Sequence, residues 1–235
     1  MGFETDEAEP GCAADCLQRA LRSRFRQQLT PGIRSIKVNI LLVTAHPLKN
    51  SLCELFTEKV LSRLKAMRHE VTLENLYKNQ FDPVLSIEER ATYYRENYDS
   101  SKVSGEIERL VNSDALVIIF PTWWFSFPAI LKGWFDRVWA PTVAYDHAND
   151  YGPIKPKLNN LKKAFVLTTL GAPWWVDYFI LWRPVKRTVR FALLGACARK
   201  CKLKFLSFYK CEAVDSERIK RQIGKIESEL TKFFR

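Results

Sequence analysis

At 235 residues, with 47% hydrophobic and 27% charged content, the chain can bury one sizeable core and is too apolar to be disordered as a whole. Its formal net charge of +11 suits polyanions of several kinds, but no basic stripe interleaved with aromatics runs along it, which argues against nucleic acid. Six cysteines without C-x2-C spacing, and only His46, His69 and His147 as imidazoles, argue against a metal site.

Residues 1–35 read as an N-terminal extension, partly disordered or forming one short helix, which Thr30-Pro31-Gly32 ends. Its start is acidic and has no apolar signal core, so a cytoplasmic protein with free thiols is expected. The main domain is expected to span 36–235. Residues 38–45, VNILLVTA, form the aliphatic run of a strand covered on both faces. A helical pattern follows through Leu52, Leu55, Phe56, Val60, Leu61 and Leu64. Next come a strand at 71–76, a long tyrosine-rich loop at 77–100 with a helical turn or two, a helix at 102–112 and an apolar strand at 115–120. Residues 115–131 carry no charge, but Pro121 and Pro128 break the run, which reads as strand, loop and helix rather than a membrane span. The helix at 128–138 takes Pro128 in its first turn. A connector fills 140–162, and a fourth strand lies at 164–170. A basic helix is expected at 185–196, with Val185, Val189, Leu193 and Ala196 on one face. A fifth strand at 203–209 and an amphipathic helix at 215–234 complete the pattern. Strands alternating with helices imply an α/β protein with a doubly wound, five-stranded parallel sheet in three layers.

In such a sheet, ligands bind beyond the carboxyl ends of the strands at the switch point. Three loops therefore matter. The first has no glycine-rich fingerprint; it sets His46, Asn50 and Ser51 ahead of a helix N-terminus, where phosphate is favoured. A plain N-cap is the simpler reading of Asn50 or Ser51 alone. The second, Pro121-Thr122-Trp123-Trp124-Phe125, places three adjacent aromatics where no period can bury them all, which suits a planar ligand stacked on an indole. The third, around Thr168, Thr169, Gly171, Trp174 and Trp175, offers hydroxyls and backbone to that ligand's polar edge.

On these residues the sequence resembles the flavodoxin-like NAD(P)H:quinone oxidoreductase family. The pattern PxxWFxxPAILKGWFxRV fits residues 121–138. His-x3-Asn-Ser fits 46–51, Leu-Tyr followed by Phe-x-Pro fits 76–83, and Thr-Thr-x-Gly fits 168–171. The resemblance covers roughly 37–210 and implies a flavodoxin-like fold with a bound flavin, FAD or alternatively FMN. By the same resemblance His46, Asn50, Ser51, Leu52 and Cys53 belong to the loop that holds the flavin phosphates. Pro121, Thr122, Trp123, Trp124 and Phe125 would wrap the isoalloxazine, and Thr168, Thr169 and Gly171 would meet its pyrimidine side. Tyr145 falls at a tyrosine that roofs the partner's pocket in the family's homodimers, and with Trp174 and Trp175 it is the expected substrate contact.

The implied activity is a ping-pong transfer of hydride from NADH or NADPH, through the flavin, to a quinone-like acceptor. The alternative is a flavin-binding regulatory or electron-carrier protein without NAD(P)H turnover. The third loop departs from the family: Leu170 stands for its first glycine, Val176 for its tyrosine, and no histidine follows. Tyr178, Tyr145 and His147 are the side chains left to handle a proton near the flavin. The basic segment 183–210 is read as a solvated helix face, with a cofactor phosphate or a peripheral anionic membrane as its sharper partners.

Overall fold

The computed structural model describes residues 37–95, 98–146 and 152–235. The N-terminal extension and His147 lie outside the described residues. Five strands, β1 (Asn39–Thr44), β2 (Glu70–Asn75), β3 (Ala115–Pro121), β6 (Lys163–Thr169) and β7 (Lys202–Phe208), form one sheet in the order β2-β1-β3-β6-β7. Every pairing in it is parallel. The central strands β1, β3 and β6 are buried almost throughout, whereas the edge strands β2 and β7 carry exposed positions. Continuous aliphatic runs therefore went to the centre and mixed sequences to the edges, as two covered faces require.

Alternate side chains of each strand feed opposite layers. Ile40, Leu42, Val117 and Ile119 pack with α1 (Leu52–Ala66) through Phe56, Val60 and Leu64, and with α6 (Ser216–Phe234) through Ile226 and Leu230. Leu41, Val43, Leu116, Ile118 and Phe120 pack on the other face. There they meet α3 (Ser104–Val111), α4 (Ala129–Val138) and α5, a helical run over 184–197. The connector at 140–162 contains a two-residue antiparallel ladder, β4 (Tyr145–Asp146) with β5 (Lys155–Pro156).

Two expectations are corrected. Pro128 is the N-cap of α4, not a residue of its first turn: its extended backbone turns its carbonyl to the Leu131 and Lys132 N–H groups (3.0 and 2.9 Å). The basic helix is α-helical at Pro184–Arg187 and Gly195–Cys197 but π-helical at Thr188–Leu194. The wider turns broaden the inward stripe, so Leu194 and Cys197 follow Val185 and Val189 into the core, while Leu193 and Ala196 pack against the same core half-buried.

The apolar stretch 115–131 resolves into β3, a turn and the start of α4, and no helix among the described residues is long and apolar enough to cross a membrane. Helix α4 is locked to its surroundings by polar as well as apolar contacts. Trp134, fully buried, donates from Nε1 to Glu74 Oε1 (2.5 Å), and Glu74 also takes Arg109 Nε (2.6 Å). Arg137 is buried beside Glu89 (Nη2 to Oε1, 2.6 Å), itself part of the capping box of α2 (Ile87–Thr92), and also donates to Asp82 O. Gly133 touches Pro83 so closely that any Cβ there would collide with the proline carbonyl. The long 77–100 loop is thus pinned to α4.

Candidate functional site

The chain leaves β1 toward β2 on one side and β3 on the other, so the crevice between β1 and β3 is the switch point. Loops 45–51, 122–128 and 170–175 meet there. Thr122 N–H donates to Thr169 O (2.8 Å), extending the β3–β6 ladder, and the Thr122 and Thr168 hydroxyls hydrogen-bond each other. The Cys53 sulfur in the first turn of α1 lies 3.6 Å from Thr169 Oγ1. Burial pushes the Cys53 thiol up to about 12, so it is an inert wall beneath the loops rather than a nucleophile.

In the first loop Ser51 is the N-cap of α1, its Oγ accepting from Glu54 N–H (3.2 Å). The simpler reading holds for this residue, and its O–H and the first-turn N–H groups remain to face an anion. Leu48 N–H donates to His46 Nδ1 (3.0 Å), which leaves the proton of the neutral ring on Nε2; the 3.3 Å approach of Leu48 O to the same nitrogen is the weaker contact. The His46 ring stands 6.4 Å from that of Trp123, so the first two loops adjoin. Asn50 is exposed and Leu52 half-buried beside them.

The second loop is a two-residue hairpin. Ser126 N–H donates to Trp123 O (2.9 Å) and Trp123 N–H to Ser126 O (3.3 Å). Both central residues, Trp124 (φ 49°) and Phe125 (φ 53°), are left-handed. That is the backbone of a type I′ turn, where Asn-Gly is the usual pair because a side chain at positive φ is strained. Trp124 gains no burial in return: it is 99% exposed. Pro121 is buried at the end of β3, while Trp123 is 43% exposed.

The third loop follows Thr168 and Thr169, both buried. Gly171 makes room for Glu212, whose Oε1 would lie 2.6 Å from a Cβ added there. Trp174 and Trp175 are half-exposed. Tyr178 stands behind them, its ring covered by the Arg183 guanidinium at 4.2 Å. Tyr145, by contrast, lies on the α4 side, lining a cavity of about 340 Å³ with Tyr93, Phe127, Phe135, Trp139 and Cys197. Burial pushes its hydroxyl up to about 12.

Sequence reasoning missed a second layer here. Asp177, buried behind Tyr178, accepts from Tyr209 OH (2.7 Å) and faces Arg183 Nε at 3.7 Å. Burial foremost, and then the bond to Asp177, raises the Tyr209 phenol. A small space lined by Thr122, Thr168, Asp177 and Lys186 joins this layer to the loops. Also missed was a groove of about 490 Å³ beside Trp174, lined by Tyr209, Lys210, Arg218, Arg221 and Lys225. The one available signal was that Asp177 is the last acid before Glu212. Among the described residues no cluster of His, Cys, Asp or Glu is arranged to hold a metal ion.

An open, all-parallel, doubly wound sheet with polar and aromatic loops at its β1/β3 switch point defines a three-layer α/β protein of the doubly wound class. The chain belongs to the flavodoxin-like fold family, whose model matches residues 38–233. It is 38% identical over 109 residues to the uncharacterised NAD(P)H oxidoreductase YcaK of Escherichia coli, covering 45% of this chain and 55% of that one. It is 32% identical over 148 residues to NAD(P)H dehydrogenase (quinone) 1 of Cavia porcellus, covering 56% and 53%. The chain thus spans about half the length of the curated relatives it matches. Among solved structures, the NAD(P)H:quinone oxidoreductase of Methanothermobacter marburgensis superposes with a TM-score of 0.72 at 26% identity, over 83% of this chain and 96% of that one.

Proposed function

We propose that the chain is a flavin-dependent two-electron reductase that moves hydride from NADH or NADPH to a quinone or similar acceptor. The observation that carries this is the Trp123–Ser126 turn, which holds two aromatics in strained left-handed backbone and leaves one indole wholly in solvent beside the switch point. Strain kept without compensation in the free protein belongs at functional sites. A planar ring laid on Trp124 and Phe125 supplies the missing compensation. Relatives named NAD(P)H oxidoreductase and NAD(P)H dehydrogenase (quinone) support the same reading.

His46, Asn50, Ser51, Leu52 and Cys53 would form the phosphate end, where first-turn N–H groups and His46 Nε2 donate to anionic oxygens. Pro121, Thr122, Trp123, Trp124 and Phe125 would flank the ring, with Thr168, Thr169 and Gly171 at its polar edge. A bound flavin would supply the hydride chemistry, reduced by NAD(P)H in one half-reaction and oxidised by the acceptor in the other. FAD is favoured over FMN because the groove lined by Arg218, Arg221 and Lys225 offers room and charge for an additional phosphate and adenosine. Trp174 and Trp175 would wall the space where substrates exchange. For proton handling the geometry favours Tyr178, ordered by Arg183, with Asp177 and Tyr209 behind it. In a homodimer Tyr145 would reach the partner's pocket, and the free thiols suit a cytoplasmic setting.

The test is direct. The purified protein should be yellow, release FAD on heating, bleach on anaerobic addition of NADH or NADPH, and sustain oxidation of that donor with menadione. A colourless protein that ignores added FAD and FMN overturns the proposal. Bound flavin without NAD(P)H oxidation would instead favour a regulatory or electron-carrier role, which the altered third loop leaves open.

A further inference from the structure

Two cations at the start of the basic helix turn inward. Trp182 (φ 57°) and Arg183 (φ 54°) are both left-handed and swing the chain back into the first turn of α5, Pro184–Arg187. Val185 is thereby buried and Arg183 and Lys186 half-buried, while Arg187 and Arg190 stay open to solvent. Arg183 is already engaged. Its guanidinium lies 4.2 Å from the Tyr178 ring and 5.7 Å from the Phe205 ring, and its Nε faces Asp177 at 3.7 Å. Lys186 forms no ion pair among the described residues, yet it lines the small space that also touches Thr122, Thr168, Asp177 and Ser207. The charges around that space do not cancel. Asp177 accepts from Tyr209 (2.7 Å) and is matched by Arg183. From Gly171 to Trp182 the third loop carries no other carboxylate and no Lys, Arg or His. Glu212, beside Gly171, is exposed and therefore screened. One unmatched positive charge, that of Lys186, is left with the Thr122 and Thr168 hydroxyls. Burial foremost, then Arg183 and Arg190, hold its ammonium below the usual value, as expected of a cation short of anions.

We infer that Lys186 is the charge-compensating residue of the hydride transfer: its ammonium, sharing a space with Thr122 and Thr168, offsets the negative charge that a hydride brings to the flavin's polar edge. The inference rests on the flavin reading, which assigns those two threonines to that edge. A hydride carries two electrons and one proton, so the donor leaves as NAD(P)+ and one negative charge stays behind. That charge departs when the hydride passes to the quinone-like acceptor, whose second proton comes from water. Lys186 keeps its own proton throughout and acts by its field alone, one of the ways in which a protein tunes a cofactor. The space has about 10 Å³ of free volume, room for one water at most, so the ammonium works from behind the threonines and leaves the exchange space clear. Arg183 is less suited, since Asp177 already balances it. Tyr178 can give a proton but brings no positive charge.

The experiment measures the two-electron reduction potential of flavin bound to the full chain, by equilibration with reference dyes, together with the affinity for oxidised flavin. A neighbouring unit charge favours the charged form of a group by about ten- to a thousandfold, and half-buried Lys186 belongs at the lower end. Lys186→Met should therefore weaken the hold on reduced flavin about tenfold relative to oxidised flavin, which lowers the potential by about 30 mV. Lys186→Gln, neutral but polar, should give the same fall, which separates charge from packing. Lys186→Arg should keep the parent potential. Arg187→Met removes an equal charge from the open side of the same turn and should leave the potential where it was. A potential that does not move in Lys186→Met and Lys186→Gln, or that falls equally in Arg187→Met, overturns the inference. So does an equal loss of affinity for oxidised and reduced flavin, the sign of a packing role. A parent protein that binds no flavin overturns the flavin reading and this inference with it. A yellow parent whose potential ignores Lys186 leaves that reading standing and removes this inference alone.

Discussion

Replacing Trp124 with asparagine separates strain from ligand contact in a single residue. In the free protein the indole is 99% exposed, so the substitution removes essentially no buried area. The left-handed backbone at φ 49° costs a bulky L-residue about 1–2 kcal/mol, of which asparagine, which tolerates this region, should recover about half. A gain of ~0.5–1 kcal/mol in a domain of this size raises Tm by about 1–4 °C. On the ligand side, if half of the roughly 200 Å² of a tryptophan is covered by the flavin ring, at about 25 cal/mol per Å² the lost contact is ~2.5 kcal/mol, or close to 70-fold in Kd. Scanning fluorimetry of the flavin-free protein gives the first quantity and fluorescence titration with FAD the second. Trp124→Gly serves as a control: it relieves the same strain, but the extra freedom of the unfolded chain offsets it by about 0.5–1 kcal/mol, so its Tm should stay near that of the parent. A fall in Tm with unchanged flavin affinity in Trp124→Asn would refute both the strain and the stacking.

Other outcomes follow from the packing around this turn. Gly133→Ala drives a methyl into the Pro83 carbonyl and should destabilise by about 1–3 kcal/mol, read as a lower urea midpoint. Arg137→Met leaves the Glu89 carboxylate buried without its partner, a loss of about 3–5 kcal/mol by the same measurement; a change below 1 kcal/mol would mean that the pair is solvated. His69 is buried with neither ring nitrogen hydrogen-bonded, and burial together with Lys163 lowers its pKa. The unfolded ring takes up a proton near pH 6.5 and the folded one only below that, so stability is complete above about pH 6.5 and falls as the pH drops toward the depressed value. His69→Phe should flatten this limb in urea melts run across the window; an unchanged limb assigns the acid loss to other groups. Cys53, Cys197 and Cys201, with thiols pushed up to about 12, should resist iodoacetamide at about pH 8 until the protein is unfolded, as peptide mass mapping would report.

The sheet was legible because its central strands are made of one kind of residue. VNILLVTA and ALVIIF admit no amphipathic helix, and the loops between them carry prolines and polar clusters that mark the boundaries. The loops of the site were legible as composition: three adjacent aromatics cannot all be buried by a helical or strand period, and they are not. Their backbone was not legible, since a Trp-Phe pair has no propensity for the type I′ turn it adopts, and Ser126 accepts and returns the bonds that hold it there. The register of α5 was legible only in part, for a related reason. A π-turn is set by tertiary fit rather than by local propensity, and it brought Leu194 and Cys197 into the core beside the half-buried Leu193 and Ala196. Asp177 and Tyr209 lie 32 positions apart and meet only because the third loop folds back over β7, a contact no periodicity encodes.

The stretch from Pro121 to Val138 therefore holds two kinds of residue that read alike in sequence. Gly133, Trp134 and Arg137 point inward and lock α4 to the 77–100 loop and to Glu74, so substitutions there act on stability first. Trp123, Trp124 and Phe125 form a turn that the rest of the fold would relax if it could, and substitutions there should act on ligand binding first. The two classes are joined by the short segment Ser126–Pro128, in which Phe127 packs between Phe120 and Phe135 at 5.4 and 5.2 Å. That aromatic anchor fixes the root of the turn against the core. A turn so rooted can hold strain of about 1–3 kcal/mol, because releasing it would mean withdrawing half-buried Phe127 from between its neighbours, at a cost of that order. Phe127→Ala is accordingly expected to lose stability and flavin affinity together, whereas Trp124→Asn should move them in opposite directions. The contrast between the two variants, more than either alone, distinguishes a strained binding turn from an ordinary surface loop.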